Sequence, residues 1–304
     1  MKYLFFIIFI YFGININLHA QNYVDIFNIG SCYSPYNKFK HFDNKVSINE
    51  SFANLKIPVQ LKNKNVFIFG LSINSLLFDN QPEITNNEKY YTNTLQLGYT
   101  KNWNEKFSTM LVVLPKMSSD FKDISKEDYQ IGGLLIFTIK KQENLKYKFG
   151  VYYNSEYFGP FIVPLLGIDW QPNDKVQLFG NLPINLTFAV KLNNKLTTGL
   201  FFQAPAGSYR LGEENLSAYL QKTTQELSLF FDSYFTKNIV MTIKGGYTLG
   251  RSYRLYSNND KLNMKLSAFD FGDKRNQLNE DFNDGFIFEL KLIYRLSIDN
   301  DNNK

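Results

Sequence analysis

Hydrophobic and polar positions alternate most clearly near the end of the chain. Residues Gly285 to Ser297 read G-F-I-F-E-L-K-L-I-Y-R-L-S. Phe286, Phe288, Leu290, Leu292, Tyr294 and Leu296 hold the even positions, while Glu289, Lys291, Arg295 and Ser297 stand among the odd ones. Successive strand residues point to opposite faces. One face of this strand is therefore apolar throughout, and the other carries both signs of charge. A water-soluble sheet buries such an apolar face only against a second layer. A closed membrane barrel leaves it facing lipid and turns the charged face to a wet lumen.

The same period of two recurs in segments of barrel-strand length. They are Tyr23–Ser34, Val46–Leu61, Val66–Phe78, Tyr91–Lys101, Phe107–Lys116, Tyr129–Lys140, Lys146–Tyr157, Leu165–Trp170, Val176–Gly180, Ile184–Leu192, Leu196–Ala204, Thr223–Phe235, Ile239–Arg254 and Gly285–Ser297. This predicts an all-β fold, a transmembrane antiparallel up-and-down β-barrel of about 14 strands. The alternative is about 12, if the weak pair Leu165–Trp170 and Val176–Gly180 folds into a loop.

The connections sort by length. Asn63–Asn65, Asn102–Glu105, Gln142–Asn144, Gln171–Asp174, Asn193–Asn194 and Thr236–Asn238 are short and built from turn residues. Between them lie Pro35–Lys45, Asp79–Tyr90, Met117–Asp128, Phe158–Pro164, Pro205–Lys222 and Leu255–Asp284. Asn181–Pro183 alone is tight where a long loop is due. Outer-membrane barrels alternate short periplasmic turns with long outer loops in this way. A soluble sandwich has no reason to sort its loops.

Composition agrees. Aromatic residues reach 17%, with 29 Phe and 20 Tyr, as girdles at two lipid–water interfaces require. Mean hydropathy is −0.27, too polar for a helical membrane protein. Residues 1–20 hold Lys2, an apolar run from Tyr3 to Phe12, and Ala20 before Gln21. That is the layout of a cleaved signal peptide, which leaves residues 21–304 as a single outer-membrane barrel domain. Removing it takes away one lysine and no acid, so the formal charge of +5 falls by one; no nucleic-acid partner is expected. The only cysteine, Cys32, excludes an internal disulfide. The expected partners are outer-membrane lipid, the barrel-assembly machinery during insertion, and a small solute. No cofactor is expected.

One stretch carries a resemblance. Gly159-Pro160, Pro164-x-x-Gly167, Trp170-x-Pro172-Asn173 and Gly180-x-Leu182-Pro183 follow one another within residues 157–203. The pattern resembles a family of uncharacterised Gram-negative outer-membrane β-barrels, the DUF6268 type. The closing Tyr294-Arg295-Leu296 agrees with it. The resemblance implies a barrel and an outer-membrane address, and no activity. Read physically, Pro172-Asn173 favours a tight turn. Gly159-Pro160 and Pro164 are expected outside any paired strand, in a loop bent over the pore mouth.

Candidate chemistry is sparse, and neither a catalytic nor a metal site is expected. Beyond the signal only His41 remains, flanked by Lys40 and Asp43, and no Gly-x-Ser-x-Gly is present; this reads as a solvated loop histidine. Asp270, Asp273, Glu280, Asp281 and Asp284 cluster in the last long loop. Their spacing matches no calcium loop, and Lys274 and Arg275 stand among them. Thr242, Lys244, Gly246, Thr248, Gly250, Ser252 and Arg254 share one face of the expected Ile239–Arg254 strand; Glu226, Ser228 and Asp232 share one face of the strand before it. With Glu289, Lys291 and Arg295 these face inward in a barrel. They form either a selectivity lining or a salt-bridge network that fills the lumen. The expectation is a barrel that passes or binds a small solute. The alternatives are a rim enzyme acting on lipid or peptide, and a structural barrel whose loops meet partners.

Overall fold

The computed structural model describes residues 23–40, 45–79, 89–212, 217–267 and 273–297. The expected signal peptide, His41 and Asp270 lie outside these residues. No helix among them is long and apolar enough to cross a membrane.

Strands β1 (Tyr23–Lys38), β2 (Lys45–Gln60), β3 (Val66–Asp79), β4 (Lys89–Asn102), β5 (Phe107–Ser119), β6 (Tyr129–Gln142), β7 (Leu145–Glu156), β8 (Gly159–Asn173), β9 (Val176–Leu182), β10 (Asn185–Asn193) and β11 (Leu196–Gln203) each pair antiparallel with the next. Two short strands, β12 (Ala206–Arg210) and β13 (Ala218–Thr223), then leave the wall. It resumes with β14 (Glu226–Tyr234) and β15 (Ile239–Thr248), is left again for β16 (Ser252–Ser257) and β17 (Lys265–Leu266), and ends with β18 (Phe286–Ser297). β18 pairs with β15 on one side and β1 on the other. The wall is thus a closed antiparallel barrel of 14 strands. Each expected segment corresponds to one wall strand, the weak pair included.

The alternation decides the faces. Along β18, Phe286 to Leu296 in steps of two are 39–63% exposed, while Ile287, Ile293 and Arg295 are at most 7% exposed. Ile29, Leu71, Leu111, Leu229, Ile243 and Leu290 are exposed around the waist of the barrel. Trp103, Phe107, Tyr147 and Phe235 ring its short-turn end, and Tyr33, Tyr129, Tyr153 and Tyr247 the other. Aromatic rings at both ends of an aliphatic belt suit two lipid–water interfaces.

Asparagine builds the short turns. The Asn104 side chain accepts from the Lys106 and Phe107 N–H groups, Asn173 from Lys175 and Val176, and Asn193 from Lys195, all at 2.8–2.9 Å. These are Asx turns, in which the side chain mimics a backbone acceptor.

Three expectations are corrected. Phe158–Pro164 is no loop: Tyr157 and Phe158 make a tight turn, and β8 runs on from Gly159 with Pro160 opposite Ser155 and Pro164 opposite Val151. The prolines are tolerated because that half of β8 has no β9 partner; the β8–β9 ladder runs only from Leu166. The backbone oxygens of Phe158 and Ile162, which share the parity of Pro160 and Pro164, accept from Leu262 and Ser267 on the open side. A proline N there misses no β7 partner. Gly167 and Trp170 lie within β8, Pro172-Asn173 closes it, and Pro183 occupies the tight β9–β10 connection.

The second correction concerns Ile239–Arg254. This stretch is two strands, because the backbone turns at Gly250, whose φ of +83° suits a residue without a side chain. The third concerns Pro205–Lys222 and the start of Leu255–Asp284. They contribute a three-stranded sheet, β12–β13–β16.

Candidate functional site

The in-folded sheet divides the lumen. On its long-loop side, Leu211, Leu220, Tyr253, Leu255 and Phe282 pack against the inward residues Val46, Ile48, Leu76, Phe78 and Tyr90 of the wall. A second cluster joins Tyr219 and Tyr256 to Tyr157, Phe158, Phe161, Val163 and Leu165. Each fully buried side chain of this size stabilises by about 1.5–3 kcal/mol, so this half is filled by a folded core.

Ion pairs fix the sheet to the wall. Lys222 of β13 donates to Glu50 of β2, which also accepts from the Tyr253 hydroxyl at 3.0 Å. Arg210 of β12 meets Asp128 at 2.5 Å and Asp123 at 2.8 Å. Glu156 of β7 takes Lys116 at 2.8 Å and the Ser208 hydroxyl at 2.7 Å. Burying these charges is tolerable because each is paired and further hydrogen-bonded.

The other half of the lumen is polar and open towards the short turns. It holds a cavity of about 470 Å³ whose rim includes the turn residues Asp174, Lys175, Asn194 and Lys237. A smaller space of about 290 Å³ lies beside β5–β8, lined by Lys106, Lys140, Lys146, Lys148 and Asp169.

The inward charges expected from the sequence fall into groups. Lys244 of β15 and Lys291 of β18 flank Glu289, at 3.0 and 3.6 Å from the same carboxylate oxygen. Arg295 is placed between Asp25 at 2.6 Å and Asp232 at 3.5 Å, and donates to the Tyr234 hydroxyl at 2.6 Å. Asp232 also accepts from Thr242 at 2.7 Å. Glu226 stands higher, accepting from Gln203 at 2.6 Å. Arg254 is the exception. It sits on β16, outside the wall, and binds Asp281 at 3.1 Å.

Of the loop acids, Asp281 also takes Lys40 at 3.1 Å. Asp273 takes Arg275 at 2.6 Å, and Asp284 the N–H groups of Gly250 and Arg251 at 3.0 and 2.7 Å. Lys40, Arg254 and Gln277 outweigh burial and hold the Asp281 carboxyl below the usual carboxylate range.

Sequence reasoning passed over three inward phenyl groups, Phe179, Phe201 and Phe230, which line the larger cavity. Parity could have found Phe230, two residues from Ser228 and from Asp232. Glu50 and Lys222 were also missed, since their meeting depends on the in-folded sheet.

A family model described as Domain of unknown function (DUF6268) matches residues 16–286. No curated protein matches the sequence. Among solved structures, the chain is similar to an outer membrane channel from Pseudomonas putida F1, at 10% identity and a TM-score of 0.47 over 93% of this chain and 97% of that one. It is similar to the P. putida toluene transporter TodX at 11% identity and 0.42, over 91% and 90%. The translocator domain of the autotransporter NalP from Neisseria meningitidis is similar at 11% and 0.36, over 90% and 89%. At these identities and scores the likeness says nothing of cargo.

Proposed function

The chain belongs to the DUF6268 family, a domain of unknown function, and on its own geometry we propose that it is an outer-membrane barrel of a Gram-negative bacterium that takes a small solute into its lumen. The belt of exposed aliphatic residues between two aromatic rings supports the membrane address. Lipid is then its surroundings, the barrel-assembly machinery inserts it, and the signal peptide at residues 1–20 exports it. Short turns would face the periplasm and the in-folded loops the outside.

The observation that carries the reading is the division of the lumen. One half is filled by β12, β13 and β16. The other holds a charged cavity of about 470 Å³ open to the short turns, within the size range of small-molecule sites. A purely structural barrel has no use for such asymmetry. Passage would require the in-folded sheet to give way, and Glu50 anchors it together with Asp128 and Glu156. No enzymatic activity is part of the reading, since Asp273, Asp281 and Asp284 near the rim are each engaged by cations or backbone N–H groups.

Planar-bilayer recording tests it. The refolded chain should conduct weakly, and a variant in which a short Gly-Ser link replaces residues 205–224 should conduct in larger, longer steps. Absence of steps from both would remove passage from the reading.

A further inference from the structure

We propose that the short-turn cavity binds an organic anion with an apolar body, a small aromatic or short-chain carboxylate, whose head lies at Lys244 and Lys291. This rests on the reading of the barrel as one that takes a solute into its lumen, and it names the class of solute.

Charge comes first. Lys175, Lys191, Lys237, Lys244, Lys291 and Arg295 line the cavity, against Asp25, Asp174 and Asp232. Arg295 is already spent on Asp25 and Asp232. Lys244 and Lys291 share one carboxylate, Glu289, so that trio keeps a net positive charge deep in the wall. Among the described residues, Lys191 and Lys237 have no carboxylate within ion-pair distance. The smaller space beside β5–β8 adds Lys106, Lys140, Lys146 and Lys148 against Glu105 and Asp169. The field in this half of the lumen therefore attracts anions and repels cations.

Shape decides between an inorganic and an organic anion. Phe179, Phe201 and Phe230 line the same cavity. The Lys244 ammonium lies 3.9 Å from the centre of the Phe201 ring. A cationic group thus stands beside an aromatic face, and two more rings line the same cavity. An inorganic ion would use the lysines and leave the rings in water. A carboxylate on a flat apolar body uses both.

Calorimetry on the refolded full chain in detergent, at low salt and with empty micelles as blank, tests this with benzoate, benzylammonium and inorganic phosphate. Benzoate should bind saturably, and more weakly as salt rises. Lys244→Gln/Lys291→Gln should weaken it at least tenfold, and Phe201→Leu several-fold. Benzylammonium and phosphate should show no saturable binding. The proposal is overturned by benzylammonium or phosphate binding as well as benzoate, by no saturable benzoate binding, or by full affinity in the double variant. If the double variant does not fold, Lys291→Gln alone stands in for it; unchanged affinity there overturns the proposal equally. Benzoate binding without bilayer conductance supports the site while removing passage. Conductance without benzoate binding removes the site alone.

Discussion

Arg295 donates to Asp25 at 2.6 Å, and the two residues stand opposite each other where the last strand meets the first. They are 270 positions apart in the chain. The Arg295 guanidinium also lies 3.9 Å from the centre of the Tyr23 ring and reaches Asp232 at 3.5 Å. A barrel is closed only if its first and last strands find one register. This cluster rewards the right one, because a one-residue slip sends Arg295 to the lipid face.

Removing the guanidinium would leave Asp25 and Asp232 without their shared cation. Breaking a buried pair costs about 3–5 kcal/mol. The Asp25 side chain is 32% exposed, so the lower end of that range applies. Arg295→Gln should therefore lose its folded, fast-migrating band on unheated SDS gels at a lower temperature than the parent chain. Asp25→Asn, which leaves Arg295 its partner Asp232, should shift the band less. Equal heat resistance in all three would show that the seam does not depend on these charges.

Glu50 should decide whether the in-folded sheet stays in place. It receives both Lys222 and the Tyr253 hydroxyl, so Glu50→Gln strands a buried ammonium at a cost of about 3 kcal/mol. The wall, held by its own ladders, should remain closed. The expected result is faster tryptic cleavage within residues 205–224, larger bilayer conductance and an unchanged heat-modifiable band. Unaltered cleavage and conductance would mean that the apolar clusters, with the Arg210 and Ser208 contacts, hold the sheet without Glu50.

Two glycines allow neighbouring strands to approach. A Cβ at Gly150 would lie 2.1 Å from the Leu135 backbone oxygen, and one at Gly199 would lie 1.9 Å from that of Phe188. Neither obstacle is a flexible side chain. Gly150→Ala and Gly199→Ala should each cost about 1–3 kcal/mol in urea unfolding of the refolded barrel. Gly207 of β12, where an added Cβ meets nothing within 4 Å, is the control, and Gly207→Ala should unfold as the parent does.

The wall was legible in the sequence because lipid on one side and water on the other impose a period of two on every strand. The in-folded sheet was not. In β13, Ala218, Tyr219, Leu220, Gln221 and Lys222 are all buried, so both faces are covered and no alternation marks the strand. The reading of Ile239–Arg254 as one strand failed for a related reason. Ser252 and Arg254 keep the parity of Thr242 and Lys244, while Gly250 redirects the backbone between them. Among the candidate lumen residues, parity placed Glu226, Asp232, Lys244, Glu289, Lys291 and Arg295 on the inner face. Pairing across strands, as between Lys222 and Glu50, depends on three-dimensional register that spacing does not encode.

Acid should loosen the outer loops before it affects the wall. Three loop carboxyls are held below their ordinary range. In Asp273 the first cause is hydrogen bonding from Arg275. In Asp281 burial opposes the shift, and Lys40, Arg254 and Gln277 overcome it. In Asp284 burial again opposes it, and the N–H groups of Arg251 and Gly250 with the Thr248 hydroxyl overcome it. A carboxyl lowered by folding binds fewer protons in the folded loop than in the open one. Its stabilisation is complete above the open-loop value of about 4 and is lost as pH falls through the folded value. The Lys40 side chain is 50% exposed, so that pair contributes at most about 1 kcal/mol and the transition should be gradual. Hydrogen exchange of amides in residues 273–285 should be flat from about pH 6 to 8 after correction for intrinsic rates, and lose protection below about pH 4. Asp281→Asn should show part of that loss already at neutral pH. Protection that holds steady through the acid range would mean that the Phe39, Phe78 and Phe282 contacts, with ring centres 4.7–6.0 Å apart, fix this loop without help from charge.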